Sequence, residues 1–248
     1  MSASYPTKIV LAMRSGNVCA FENCHKPLTS DGVNADPAVI GVAAHIYGEK
    51  RIAARYRAEM TDEQRNHSNN LIYLCPSCHT KIDKQEKDYP TEFLFSLKKN
   101  HELWVAKQLD KAMSEVSFAE LKIATDALAS GTYSSSSYDF KVIPPGEKIN
   151  KNDLSASVRY YISMGLINSH EVERFLAQMA THINEEFPEK LKNGFKKKYL
   201  ELKTNVSGDE LFMEMLKFAQ AGQHNFKQQA AGLAILSHLF LVCEVFEK

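Results

Sequence analysis

The sequence predicts an α+β protein: a small cysteine-knuckle domain with two short strands and a helix, then an all-α helical bundle. Three observations carry this. Four of the five cysteines fall in two close pairs, Cys19 with Cys24 and Cys75 with Cys78. An apolar run, Leu71-Ile72-Tyr73-Leu74, leads into the second pair and is followed by Pro76 and a helical stretch. Beyond the Ser-rich segment from Thr132 to Tyr138, apolar residues recur at helical spacing to the end of the chain.

Cys75-Pro76-Ser77-Cys78 is the tight end of a zinc site, because two thiolates at that spacing reach one tetrahedral ion. Cys19-Ala20-Phe21-Glu22-Asn23-Cys24 supplies the other pair, so the expectation is one structural Zn²⁺ on four thiolates. The alternative is two unrelated pairs of buried thiols. The start, Met-Ser-Ala-Ser-Tyr-Pro-Thr-Lys, lacks the apolar core of a signal peptide, and the chain has no run of eighteen apolar residues. The expected compartment is therefore the cytoplasm, with no membrane partner; reduced thiols there favour metal over disulfides. The 248 residues are 44% apolar, enough for one or two domains, and the formal net charge is zero. That argues against a large non-specific nucleic-acid binder held by bulk charge, and leaves room for a local basic patch.

Residues 1 to about 40 are broken by Gly16, Pro27, Gly32 and Pro37 and read as a knuckle loop with no long element. Ala38 to Ile46 reads as a strand ending at His45. Gly48 to Tyr56 is an exposed basic loop, and Lys50, Arg51, Arg55 and Arg57 lie in or beside it. Thr61-Asp62-Glu63-Gln64 is a capping box, so a short helix starts there. Leu71 to Leu74 is the second strand, and Pro76 opens a helix carrying His79 and Asp83. Pro90-Thr91-Glu92 starts another helix, and Ser117-Phe118-Ala119-Glu120 boxes one that should stop at Gly131. After Pro144-Pro145-Gly146, Asn152 or Asp153 is expected to cap a helix ended by Gly165. Three more helices follow on Val172 to Ile183, Leu191 to Leu202 and Leu211 to Phe218, then a long apolar fifth from Asn225 to Phe246. The expected division is 1–110, a connecting segment 111–149, and a helical domain 150–248.

The knuckle draws the two strands side by side. His45 then ends the first, Asn70 opens the second, and His79 lies one residue past the last knuckle cysteine. His, Asn, His in this order resembles the HNH nucleases, whose fold is a ββα-metal finger, and is closest to the bacterial anti-phage HNH nucleases. Ala43-Ala44-His45-Ile46, Arg55-Tyr56, Met60-Thr61-Asp62-Glu63, Asn70 through Asp83, Tyr89-Pro90 and Lys99-Asn100-His101-Glu102 carry the likeness over roughly residues 10–110. It implies a metal-dependent DNA endonuclease in which His45 is the general base, His79 a ligand of the catalytic metal, and Asn70 a brace for the loop that helps orient His45. Phosphodiester hydrolysis needs an activated water and a cation on the phosphate, and a histidine can take the water's proton at neutral pH. His79 and Asp83, four apart on a helix, project from one face and can reach one ion. An imidazole, a carboxylate and waters suit Mg²⁺ or Mn²⁺. Ala44 stands where many HNH enzymes carry an acidic residue or a second His, which raises the weight on Asp83; the defence-type pattern also has Ala there.

Each residue has a plainer alternative. His45 can be a satisfied structural histidine, His79 or His25 a competing zinc ligand, Asp83 a surface charge, and the basic loop a solvated face rather than a phosphate contact. His101-Glu102 reads as a buried buttress rather than an acid–base pair, and Cys243 as an inert core thiol. The whole domain can then be a catalytically inert zinc-knuckle scaffold.

In the helical half, Val116 to Leu121, Lys148 to Ser155, Gly208 to Phe212 and Leu239 to Lys248 resemble the C-terminal domain of effectors in three-component ABC-ATPase defence systems, with Lamassu-type systems as relatives. This implies a docking or oligomerisation module joining the nuclease to an SMC- or ABC-type ATPase, a small accessory subunit, or further copies of itself. The last helix, apolar around nearly its whole circumference from Ala230 to Phe246, belongs in an interface or in a bundle core closed within one chain.

Overall fold

A computed structural model describes residues 3–30, 38–129, 145–182, 184–221, 225–242 and 245–246. The chain divides into two units, Met1–Lys107 and Gln108–Lys248.

The first unit begins with a helix where the sequence suggests only loops. α1 (Tyr5–Arg14) is started by Ser4, whose hydroxyl accepts from the Thr7 amide at 3.2 Å, and by Pro6 in the first turn. It buries Ile9, Val10 and Leu11 and is followed by Gly16 and Asn17, both at φ 57°. Gly16 is thus the end of a helix rather than a mark of its absence. β1 (Thr29–Ser30) pairs with β2 (Ala38–Val39), and β3 (Val42–His45) pairs antiparallel with β4 (Leu71–Leu74), His45 opposite Leu71. The strand expected over 38–46 is therefore two strands in two sheets. The amides of Ile40 and Gly41 both turn to the Leu28 carbonyl, at 2.8 and 3.0 Å. A side chain at Gly41 would collide with the Tyr73 ring.

α2 (Asp62–Asn66) carries the expected reciprocal box: Gln64 N donates to Thr61 Oγ1 at 3.2 Å and Thr61 N to Gln64 Oε1 at 2.9 Å. A 3₁₀ turn (Ser68–Asn70) leads into β4, and α3 (Pro76–Lys84) leaves it with Cys75 as N-cap. α4 (Thr91–Met113) spans the division between the units. Leu28, Ile46, Leu71, Ile72, Leu74, Ile82 and Leu94 form the centre of a small core. His101 is buried, with Nε2 on the Ser15 carbonyl at 3.0 Å; burial pulls its pKa down to about 4, so it is a neutral buttress.

The second unit contains α5 (Phe118–Ala129), α6 (Pro145–Lys151), α7 (Ala156–Leu166), α8 (Ser169–His182), α9 (Phe187–Lys203), α10 (Gly208–Gln220) and α11 (Phe226–Leu241). α5 lies in the stretch that the sequence sets aside as a connector, yet it packs on α8, α9 and α11. α7 is capped by Ser155, not by Asn152 or Asp153; Asp153 sits at φ 55° and Asp209 accepts the Ser155 amide at 2.8 Å. The expected segment end at Gly131, the Ser-rich linker and Cys243 lie outside the described residues.

α11 is the centre of this unit. It packs on α5, α7, α8 and α10, and every side chain from Gln229 to Phe240 is buried. Its apolar circumference is consumed within the chain, so it offers no face to a second copy or partner; of the two places open to such a helix, the bundle core holds it. It also stops at Leu241. Phe246, at φ 72°, packs on Tyr199, Phe212 and Phe240 with ring centroids 5.3, 6.0 and 5.4 Å away. Lys148 is wholly buried and donates to the Phe240 carbonyl at 2.9 Å, a cation at the negative end of the helix.

Gly165, which reads as a stop signal, lies inside α7 where it crosses α11. A Cβ there would run into Ser237 Oγ and the Leu233 carbonyl. Backbone cannot yield as a flexible side chain does, so Gly165→Ala is expected to destabilise this unit by about 1–3 kcal/mol. Urea unfolding followed by tryptophan-independent far-UV signal checks it; an unchanged midpoint would show that the helices can part there at no cost.

Candidate functional site

The four knuckle thiols converge. Cys19, Cys24, Cys75 and Cys78 place their Sγ atoms within 4.8 Å of one another, with Cys24 and Cys75 3.8 Å apart. Four thiolates at about 2.3 Å from one zinc ion stand about 3.8 Å apart, so the donor set fits such an ion. Local backbone puts them there. Ala20 N bonds to the Tyr73 carbonyl at 3.1 Å, pinning the first pair to β4, and the Cys78 amide bonds back to Cys75 Sγ at 3.5 Å across the start of α3. Burial pushes the Cys19 thiol up to about 11 and the Cys78 thiol up as well. At Cys75 burial also acts upward, but hydrogen bonds from the Cys78 amide and the neighbouring thiols outweigh it and the value falls. Clustered thiols in this setting become thiolates together only if a cation compensates them. Among the described residues, this cluster is the group of three or more side chains close enough to share an ion.

β3, β4 and α3 form a ββα unit around the second candidate centre. His45 is half-buried at the end of β3. Its Nε2 lies 3.2 Å from Asn66 Oδ1, and Asn66 Nδ2 donates to the Asp62 carbonyl at 2.9 Å. A carbonyl only accepts, so the Asn66 NH₂ must face Asp62 and its oxygen must face His45. That makes His45 Nε2 the donor and leaves Nδ1 as the basic nitrogen. Asn66 has no signal in the sequence reading: it is an ordinary polar residue near a helix end, and its partner is 21 positions away.

Asn70 is buried and spends its amide on backbone. Oδ1 accepts from Tyr47 N at 2.9 Å, and Nδ2 donates to the carbonyls of Tyr47 at 3.0 Å and Arg65 at 2.9 Å. It clamps the chain two residues beyond His45, while the bond to the His45 ring comes from Asn66. His79 Nε2 and Asp83 Oδ2 stand 3.2 Å apart on one face of α3. They are a two-donor pair that fits a hydrated divalent cation needing further oxygens from water or a phosphate. The hydrogen bond from His79, with the charges of His79 and Arg55, holds the Asp83 carboxyl below its usual value against its partial burial.

The four basic residues do not share one setting. Lys50, Arg51 and Arg57 are exposed; Arg57 pairs with Glu59 at 3.4 Å and lies over the Tyr47 ring at 5.4 Å. Arg55 is turned inward, its side chain 6% exposed. It donates to the carbonyls of Ile46 at 3.0 Å and Ile82 at 2.7 Å and pairs with Asp83 at 3.1 Å. It thus ties the loop after β3 to the end of α3 rather than offering its charge to a ligand. Arg65, which the sequence does not single out, is buried and donates to the carbonyls of Gly48 at 3.1 Å and Met60 at 3.0 Å.

No curated protein gives a significant match to the chain. Two family models do. Residues 19–86 match that of an HNH endonuclease, a span holding all four cysteines, His45, Asn66, Asn70, His79 and Asp83. Residues 121–247, half of the chain, match that of C-terminal domain 10 of the ABC-three component systems. The chain therefore belongs to the family of proteins carrying this C-terminal domain of ABC-three component systems, with an HNH endonuclease domain ahead of it.

Proposed function

We propose that the chain is a metal-dependent endonuclease that hydrolyses DNA phosphodiester bonds, the nuclease effector of an ABC-three component anti-phage complex. The observation that supports this best is that the HNH match encloses one ββα unit that carries both an oriented histidine and a His–Asp pair. In this reading His45 Nδ1 takes the proton of the attacking water, Asn66 holds the ring in that tautomer, and Asn70 fixes the strand end that carries it. His79 and Asp83 hold a Mg²⁺ or Mn²⁺ ion, which when bound supplies Lewis-acid charge at the scissile phosphate. Lys50, Arg51 and Arg57 are the exposed cations for flanking phosphates, while Arg55 sets the shape of the loop. The four cysteines hold a structural Zn²⁺. The helical unit joins the nuclease to the other components, an SMC- or ABC-type ATPase and a small accessory subunit, or to a second nuclease copy, in the cytoplasm.

The test is nicking of supercoiled plasmid by full-length protein with Mg²⁺ or Mn²⁺, alone and with the co-encoded components. No cleavage under any of these conditions would leave a zinc-knuckle scaffold. Asn66 gives a finer check. Asn66→Ala is expected to slow cleavage about 3- to 10-fold, the worth of one hydrogen bond to the ring. Asn66→Asp keeps the acceptor but sets a carboxylate facing the imidazole, which favours its protonated form. The acidic limb of the rate–pH profile should then move to higher pH. A profile that moves in neither variant would mean that Asn66 serves only to shape α2.

A further inference from the structure

The loop that leaves β3 carries its most exposed apolar side chain at its tip. Ile52 is 96% exposed, more than any other large apolar residue described. A single exposed isoleucine is ordinary on a protein surface. What sets this one apart is how firmly its loop is built. Ala53 N bonds to the Lys50 carbonyl at 2.8 Å, closing a turn with Arg51 and Ile52 at its apex. Below the turn, Gly48 N bonds to the Arg55 carbonyl at 3.3 Å, and Arg65 holds the Gly48 carbonyl from beneath at 3.1 Å. No Cβ fits at Gly48, where it would run into Ala53 and the Ala54 carbonyl. Arg55 takes up φ 57°, a conformation that favours glycine, while its guanidinium is tied to Ile46, Ile82 and Asp83. Two inward-facing arginines, one of them in a strained backbone conformation, thus fix the base of a loop whose apex is a stiff, β-branched apolar side chain.

The apex has two neighbours of one kind: Lys50 and Arg51 are both exposed. An apolar tip beside two cations is complementary to a surface with an apolar stack between two anionic rails. We propose that Ile52 is a wedge that enters the minor groove of duplex DNA and partly opens a base step beside the cleavage point, with Lys50 and Arg51 on the adjacent phosphates. This rests on the endonuclease reading above. Opening a step from the minor groove kinks the duplex away from the loop and widens that groove, so both flanking backbones come within reach of a domain whose chain has no net charge to hold them.

The experiment uses full-length, zinc-loaded protein carrying His45→Ala to block cleavage. Its affinity is measured for a short intact duplex and for the same duplex with a central one-nucleotide gap, where unstacking is already done. Ile52→Ala is expected to weaken binding to the intact duplex about tenfold, the worth of one buried aliphatic side chain. On the gapped duplex, where the side chain is buried without a stack being broken, the loss should be at least about threefold larger, and Ile52→Leu should bind both nearly as the parent does. Lys50→Ala or Arg51→Ala should instead weaken both duplexes alike and lower the salt slope by about one. An Ile52→Ala protein that loses nothing, or loses equally on both duplexes, overturns the wedge. So does one normal on DNA but unable to assemble with the other system components, which would give the loop to a protein partner. If the parent binds no DNA at all, the endonuclease reading itself fails; if it binds and only the Ile52 contrast is missing, the wedge alone falls.

Discussion

Stripping the metal from the full-length protein is expected to unfold the first unit and leave the helical unit folded. The first unit has little else to hold it. Its larger sheet is two strands of four residues, and two-stranded sheets are marginal in water. The four thiols are drawn from both ends of a span of about fifty residues, so one ion closes a long loop. Without it, the cluster is a set of partly buried thiols whose burial opposes ionisation, as the upward push on Cys19 shows. Binding of a structural zinc is itself folding free energy, on the order of 10–16 kcal/mol in small zinc domains. Elemental analysis should find about one zinc per chain. Chelation, or Cys75→Ser, should abolish the near-UV signal of Trp104 and Tyr73 while most helical signal persists, since the α5–α11 core is built from its own chain. A metal-free first unit that stays folded would sink the assignment.

The second large effect is the loss of cleavage in His45→Ala. A general base contributes about 10²–10⁴-fold, and Asn66, the side chain bonded to the ring, has no basic nitrogen to replace it. The fold should not notice. His45 is half-buried, its ring makes one hydrogen bond, and the strand pairing with Leu71 is backbone. Asn70→Ala is the contrast, because it strips three hydrogen bonds from buried or partly buried backbone and should cost stability as well as rate. Plasmid nicking in Mg²⁺ or Mn²⁺, with zinc content and thermal melting on the same samples, separates the two. A His45→Ala protein that cuts at near the normal rate would place the base elsewhere.

The residues whose role is set by local spacing were readable in the chain. The cysteine pairs, the capping box at Thr61, the run Leu71 to Leu74 and the helix opened by Pro76 each depend on neighbours within a few positions, and each forms. Even α1 had its signal in Ser4 and Pro6, outweighed by the glycines and prolines around it. Other roles are fixed by partners far away in sequence. Asn66 turns to a histidine 21 residues back, and Arg55 to a carbonyl 27 residues on, so an arginine in a basic loop becomes an internal bracket. Gly165 reads as a helix stop until α11 is seen pressed against it. The sequence of α11 demands that all its faces leave water, but burial has no direction, and the same demand is met by a partner or by the chain's own helices. Only the packing of α5, α7, α8 and α10 around it decided that it is the core of its own unit rather than an interface, because the hydrophobic effect specifies how much surface is hidden and tertiary contacts specify what hides it.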